Sequence, residues 1–149
     1  MTAPDRTAIL IPAYEPDDRL VHLVRELVAA PAGPVVVVDD GSPEAYAGRF
    51  AAVAAAGAEV LTHPVNRGKG AALKTGFAHV LATAPGTSVV CADSDGQHSV
   101  VDILRVADRL DAGAADLVLG GRRFTGAVPR RSRWGNALPR HAFSLATGQ

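Results

Sequence analysis

Short apolar runs alternate with amphipathic stretches five times along this chain, and no other feature limits its possible folds as strongly. TAILIPA (7–13), VVVVD (35–39), EVLTH (59–63), TSVVCA (87–92) and DLVLGG (116–121) read as strands. VVVVD is apolar and β-branched with no alternation, the pattern of a strand covered on both faces. Helices are predicted between them, over 17–30, 44–57, 71–84 and 99–112. In the first, Leu20, Leu23, Val24, Leu27 and Val28 recur at helical spacing and form one apolar stripe. Asp17 and Asp18 suit the positive N-terminal end of that helix. The third turns Leu73, Phe77, Val80 and Leu81 inward. The fourth opens with a Ser99-x-x-Asp102 capping box and sets Ile103, Leu104, Ala107 and Leu110 on one face. A last helix is expected over about 135–146. Strand–helix alternation with short connections implies α/β architecture: a doubly wound, mostly parallel sheet flanked by helices. A length of 149 residues implies one domain.

Composition narrows the class further. With 48% apolar and 20% charged residues the chain can bury a core. A single cysteine, Cys91, excludes a disulfide framework and a multi-cysteine zinc site, and is expected to be an inert core residue. No apolar run approaches the length of a membrane-spanning helix, and the N-terminus lacks the basic-then-apolar pattern of a secretory leader. The expected location is therefore cytoplasmic. His22, His63, His79, His98 and His141 show no i,i+4 pair of the metal-helix kind. His22, His63 and His79 read as surface or packing residues. The net charge of zero conceals a split. Residues 117–149 carry six arginines and no acid, whereas residues 1–116 carry nine basic and fifteen acidic residues. The basic end either meets something anionic or is a solvated surface.

In a parallel α/β sheet ligands bind beyond the carboxyl ends of the strands. Those ends present Pro12-Ala13-Tyr14-Glu15, Asp39-Asp40-Gly41-Ser42, Asn66-Arg67-Gly68-Lys69-Gly70, Asp93-Ser94-Asp95-Gly96-Gln97-His98 and Gly121-Arg122-Arg123. Asp93 and Asp95 can converge on one hard cation if the chain turns at Gly96, with Gln97 adding a neutral oxygen. Mg²⁺ or Mn²⁺ takes such donors and shares them with substrate phosphates. The alternative is a polar loop. NRGKG is neither a P-loop nor a dinucleotide fingerprint, because the residues that define each are absent. Its glycine amides, the helix start behind it, Arg67 and Lys69 suit an anion such as a diphosphate, or serve only to open the helix. Asp39 and Asp40 can accept hydrogen bonds from a base edge or ribose, or can close a turn. His98 is either a general acid or a local hydrogen-bonding group.

In this order, IPAYEPDD, VVVVDDGS, NRGKGAALKTG, DSDGQH, LGGRRF and RSRWGN resemble the inverting family 2 glycosyltransferases. The nearest group looks like the polyprenyl-phosphate sugar transferases of the dolichyl-phosphate mannose synthase type. The resemblance runs from about residue 8 to the end. It implies a glycosyltransferase A-type (Rossmann-like) fold, a UDP- or GDP-sugar donor, Mg²⁺ or Mn²⁺, and a polyprenyl-phosphate acceptor, with no nucleic-acid partner. Carried onto this sequence, Pro12, Ala13, Tyr14, Glu15, Asp39, Asp40 and Lys69 would hold the nucleotide sugar. Asp93 would face it, and Asp93, Asp95 and Gln97 would ligate the metal. Asp93, Asp95 and Arg122 would be catalytic, and Arg122, Arg131 and Arg133 would hold the acceptor phosphate. The basic last third would lie against the inner face of a membrane. Glu15-Pro16 departs from the Asn-Glu of many relatives. The family also continues past the point where this chain ends at SLATGQ. The resemblance thus implies a catalytic domain incomplete at its C-terminus, and leaves a nucleotide-sugar-binding module without turnover as the alternative.

Overall fold

The computed structural model describes residues 6–30 and 32–113. The expected strand over 116–121 and helix over 135–146 lie outside them. Four strands, β1 (Ala8–Ala13), β2 (Val35–Asp39), β3 (Glu59–Thr62) and β4 (Val89–Cys91), form one sheet in the order β3-β2-β1-β4. Every pairing is parallel, with Ile11 opposite Val37, Asp39 opposite Thr62 and Leu10 opposite Cys91. Helices α1 (Asp18–Ala29), α2 (Ala47–Ala55), α3 (Lys69–Thr83) and α4 (Val100–Asp111) connect and cover the strands. A 3-10 turn, Glu44–Tyr46, precedes α2.

The two core clusters show why the strands are apolar throughout. Ile9, Ile11, Ala13, Val35 and Val37 meet Leu20, Val24 and Leu27 of α1, Val53 of α2, and Ile103 and Ala107 of α4. Their neighbours Ala8, Leu10, Val36 and Val38 point the other way, against Ala72 and Val80 of α3. Successive residues thus feed opposite faces, as the two-residue strand period requires. Both faces are covered, so no position on β1 or β2 is left for a polar residue until Asp39. Caps match the predicted helix starts. Asp17 accepts the Arg19 amide at 2.9 Å, and Ser99 Oγ accepts the Asp102 amide at 3.1 Å.

Three expectations change. Val80 is buried and Leu73 packs against the core as expected, but Phe77 and Leu81, also expected inward, are exposed (44% and 70%), and Ala72 and Gly76 are buried in their place. A Cβ at Gly76 would run into the Leu10 side chain, so α3 rests on the sheet through its small residues. Hydrophobic spacing alone does not register glycine as an inward position. In α1, Val28 is exposed and Val21 takes the buried place. Cys91 is exposed rather than in the core, because Val90 takes the inward position on β4. Desolvation raises its thiol pKa, which disfavours the reactive thiolate.

Candidate functional site

Short polar loops follow the buried strands because a parallel sheet must turn the chain at one edge, and there the backbone is solvated. At that edge a cleft of about 420 Å³ gathers residues from three loops. Pro12, Ala13 and Tyr14 line it from the end of β1. Asn66, Gly68 and Lys69 line it from the entry to α3, and Asp93, Ser94 and Asp95 from the loop after β4. Asp40 also borders it. Pro12 and Ala13 are buried, whereas Tyr14 is 46% exposed. A hydrogen bond and the negative charge of Glu15 raise the Tyr14 hydroxyl above its ordinary pKa, so it stays protonated.

Asp93 and Asp95 sit on one turn, which Gly96 permits with φ +70°. Lys69 Nζ lies 2.5 Å from Asp93 Oδ1, and His98 Nε2 lies 3.4 Å from Oδ2. The Lys69 hydrogen bond, aided by His98, outweighs partial burial and holds the Asp93 carboxyl below its usual pKa. Asp95 accepts the Gln97 backbone amide at 3.0 Å and its side-chain amide at 2.7 Å. Among the described residues no three His, Cys, Asp or Glu side chains converge as a closed metal cage. The donors present are oxygen-rich and face a cleft. They fit an ion that keeps most of its coordination sphere for water and phosphate, as Mg²⁺ and Mn²⁺ do. Both carboxylates are satisfied by exposed partners, whose bonds exchange at little cost.

The other predicted residues fall in different places. Glu15 is exposed and does not line the cleft. It is the one non-glycine residue with positive φ (48°) among those described, and its amide donates to Ser42 Oγ at 3.0 Å. Asp39 is buried, and its Oδ1 accepts the Ser42 amide at 2.9 Å, closing the turn after β2. Gln97 lies beside the cleft, against Asp95. Arg122, Arg131 and Arg133 lie outside the described residues. His98 makes the local contact to Asp93 that was one of its two readings.

His63 had no assigned role beyond packing, and the structure makes it the neighbour of Asp40. Its Nδ1 lies 2.7 Å from Asp40 Oδ1, and its Nε2 lies 2.8 Å from Thr75 Oγ1. The same Asp40 oxygen accepts the Arg67 amide at 3.0 Å. Burial acts to raise the Asp40 pKa, but the His63 hydrogen bond and the Arg67 and Gly68 amides together hold it below the ordinary carboxylate value. The signal for this contact is the register of β2 on β3. With Asp39 opposite Thr62, residues 40 and 63 leave the sheet side by side.

The arrangement pairs glycine amides and a lysine at a helix start with two carboxylates across a cleft, a set suited to an anion and a cation together. The model of "Glycosyl transferase family 2" matches residues 8–147. A polyprenol monophosphomannose synthase from Mycolicibacterium smegmatis is 36% identical over 134 residues, covering 87% of this chain and 49% of that protein. An undecaprenyl-phosphate 4-deoxy-4-formamido-L-arabinose transferase from Sodalis glossinidius is 32% identical, covering 99% of this chain and 48% of its own. The glycosyltransferase AglJ of Haloferax volcanii is 29% identical over the whole chain and 48% of its own length. The chain thus spans about half the length of these relatives. A family match through nearly every residue, on a parallel α/β sheet with its cleft at the carboxyl edge, means that the chain belongs to glycosyl transferase family 2.

Proposed function

We propose that this chain carries the donor side of an inverting glycosyltransferase that moves a sugar from a nucleoside-diphosphate sugar to a polyprenyl phosphate. The observation that carries the reading is the shared cleft of Tyr14, Lys69, Asp93 and Asp95. Two carboxylates against one lysine leave that side of the cleft negative, so a diphosphate enters only with a cation. Asp93, Asp95 and Gln97 would hold Mg²⁺ or Mn²⁺, which when bound supplies Lewis-acid stabilisation of the leaving diphosphate. Pro12, Ala13 and Tyr14, which line the cleft, would border the nucleoside, together with Asp39, buried at the end of β2. Lys69 and the amides at the start of α3 take the phosphate oxygens.

The chemistry is a single displacement with inversion. An acceptor phosphate oxygen bonds to the anomeric carbon as the bond to the donor's diphosphate oxygen breaks, and the nucleoside diphosphate departs. A phosphomonoester is already ionised near neutral pH, with a second pKa of about 6, so no general base is needed. Arg122, Arg131 and Arg133 hold that phosphate, since the guanidinium fork binds phosphate oxygens in pairs. A lipid-linked acceptor would bring the reaction to a membrane surface, which we take to be the cytoplasmic face. Among the described residues no helix is long and apolar enough to cross one.

The test mixes the protein with Mn²⁺, a UDP- or GDP-sugar, and either undecaprenyl phosphate or undecaprenol. Transfer to the phosphate alone is expected, and Asp95→Ala should abolish metal-dependent donor binding. Equal transfer to the free alcohol overturns the phosphate mechanism. Unchanged metal dependence in Asp95→Ala removes the metal assignment. Donor binding with no transfer leaves a nucleotide-sugar-binding module.

A further inference from the structure

Asp40 borders the cleft, yet its carboxylate is spent inside the protein. It is 3% exposed and His63 is 6% exposed. Ionised Asp40 can only accept, so the proton between the two lies on His63 Nδ1, and the Arg67 amide donates to the same oxygen. His63 Nε2 continues the chain of hydrogen bonds to Thr75, in the second turn of α3. Four segments therefore meet at one buried pair: the ends of β2 and β3, the loop entering α3, and α3 itself. Gly41 makes the meeting possible. It has φ +73°, and a Cβ there would collide with the backbone of Val65 and Asn66.

The loop needs such a tether. Gly68 stands at φ +88° with open space where a Cβ would be, and Gly70, in the first turn of α3, is equally unhindered, so no side chain wedges the backbone at either glycine. The Asn66 side chain braces Gly68 only locally. A glycine-rich loop that is free before binding must be ordered during it, and that entropy is subtracted from affinity.

We propose that Asp40 and His63 are positioning residues: a buried clamp that presets the Arg67–Gly68 backbone, and with it Lys69 and the first amides of α3, for the donor's diphosphate. The clamp acts on the phosphates and not on the nucleoside. It rests on the nucleotide-sugar reading above for its ligand, but not for its geometry.

The experiment compares His63→Ala and His63→Asn with the wild-type chain. Asparagine can place an amide donor where ring Nδ1 stood, keeping the bond to Asp40 while losing the one to Thr75. GDP and UDP, each with Mn²⁺, are titrated against guanosine and uridine. Amide exchange at Arg67 and Gly68 is followed by NMR without ligand. His63→Ala should weaken diphosphate binding about tenfold, the loss of one charge-assisted hydrogen bond. Nucleoside binding should stay unchanged. Exchange at Arg67 should quicken while Val36–Val38 stay protected, and His63→Asn should restore most of both effects. Thr75→Val should give the same pattern more weakly, and carries the test if His63→Ala fails to fold. Equal losses for nucleosides and diphosphates, or unchanged exchange at Arg67, overturn the clamp. If the wild type binds neither diphosphate, the nucleotide reading fails, and the exchange data alone decide whether the clamp holds the loop.

Discussion

Adjacent aspartates at the end of β2 do different work because alternate residues there face different neighbours. Asp39 closes its own turn through Ser42, while Asp40 reaches across to His63 and Arg67. Asp40 has its folded pKa depressed below the unfolded value of about 3.9. Its contribution to stability is therefore present above that value and lost as pH falls through the folded pKa. Asp40→Ala should cost about 1–3 kcal/mol at neutral pH, by stranding the buried His63 donor and breaking the part-buried bond from the Arg67 amide. The gap between wild type and variant should close below about pH 4 in urea denaturation. A gap that widens with acid contradicts the assignment. Lys69→Ala tests the opposite wall of the cleft. It should weaken nucleoside diphosphates by about 1.5–3 kcal/mol in calorimetry and leave nucleosides alone, whereas Asp39→Ala should weaken both.

Among the elements, α3 departs furthest from its predicted form, and the reason is distance to the sheet. Helices that pack through leucines stand off their partner. α3 instead lays Ala72, Gly76 and Val80 on Leu10, and leaves Phe77 and Leu81 outside. Close approach brings the N-terminal turn of α3, with Lys69, within reach of Asp93. Leu10 is fully buried and cannot move aside cheaply. Gly76→Val should therefore destabilise the protein by about 1–3 kcal/mol through overpacking, despite valine's better helix propensity. Thermal unfolding measures it, and a neutral or stabilising result would mean that the helix sits further out. Diphosphate affinity should fall with it, since the displaced helix carries Lys69 away from Asp93.

Across the molecule the charge is divided, with six arginines after residue 117 and an acidic excess before it. The proposed function would use such a division: an acidic cleft for the donor with its cation, and basic residues for an anionic acceptor. If that proposal holds, Arg123, Arg130 and Arg140 would meet the lipid surface, each contributing about 1 kcal/mol near anionic headgroups. Sedimentation with phosphatidylserine vesicles should show binding that fades as salt rises and weakens stepwise as these arginines become alanine. Equal binding to uncharged vesicles would exclude this role.

Pattern alone determined the architecture. Runs such as VVVVD fit a doubly covered parallel strand, and residues such as Asp17 and Ser99 suit the starts of helices, because these are local and periodic constraints. The same logic pointed to the carboxyl edge, where polar and glycine residues follow each strand and the structure has a cleft. Three things escaped it: the partners of Asp40 and His63, the buried face of α3, and the exposure of Cys91. Each depends on strand register or on the separation of packed elements. Residues 40 and 63 lie far apart in the chain and meet only because Asp39 pairs with Thr62. A glycine acquires an inward role only when a neighbour such as Leu10 fills the space its side chain lacks. Neither a pairing between distant strands nor an interlayer distance is written in the residues of one segment, so tertiary packing decided them.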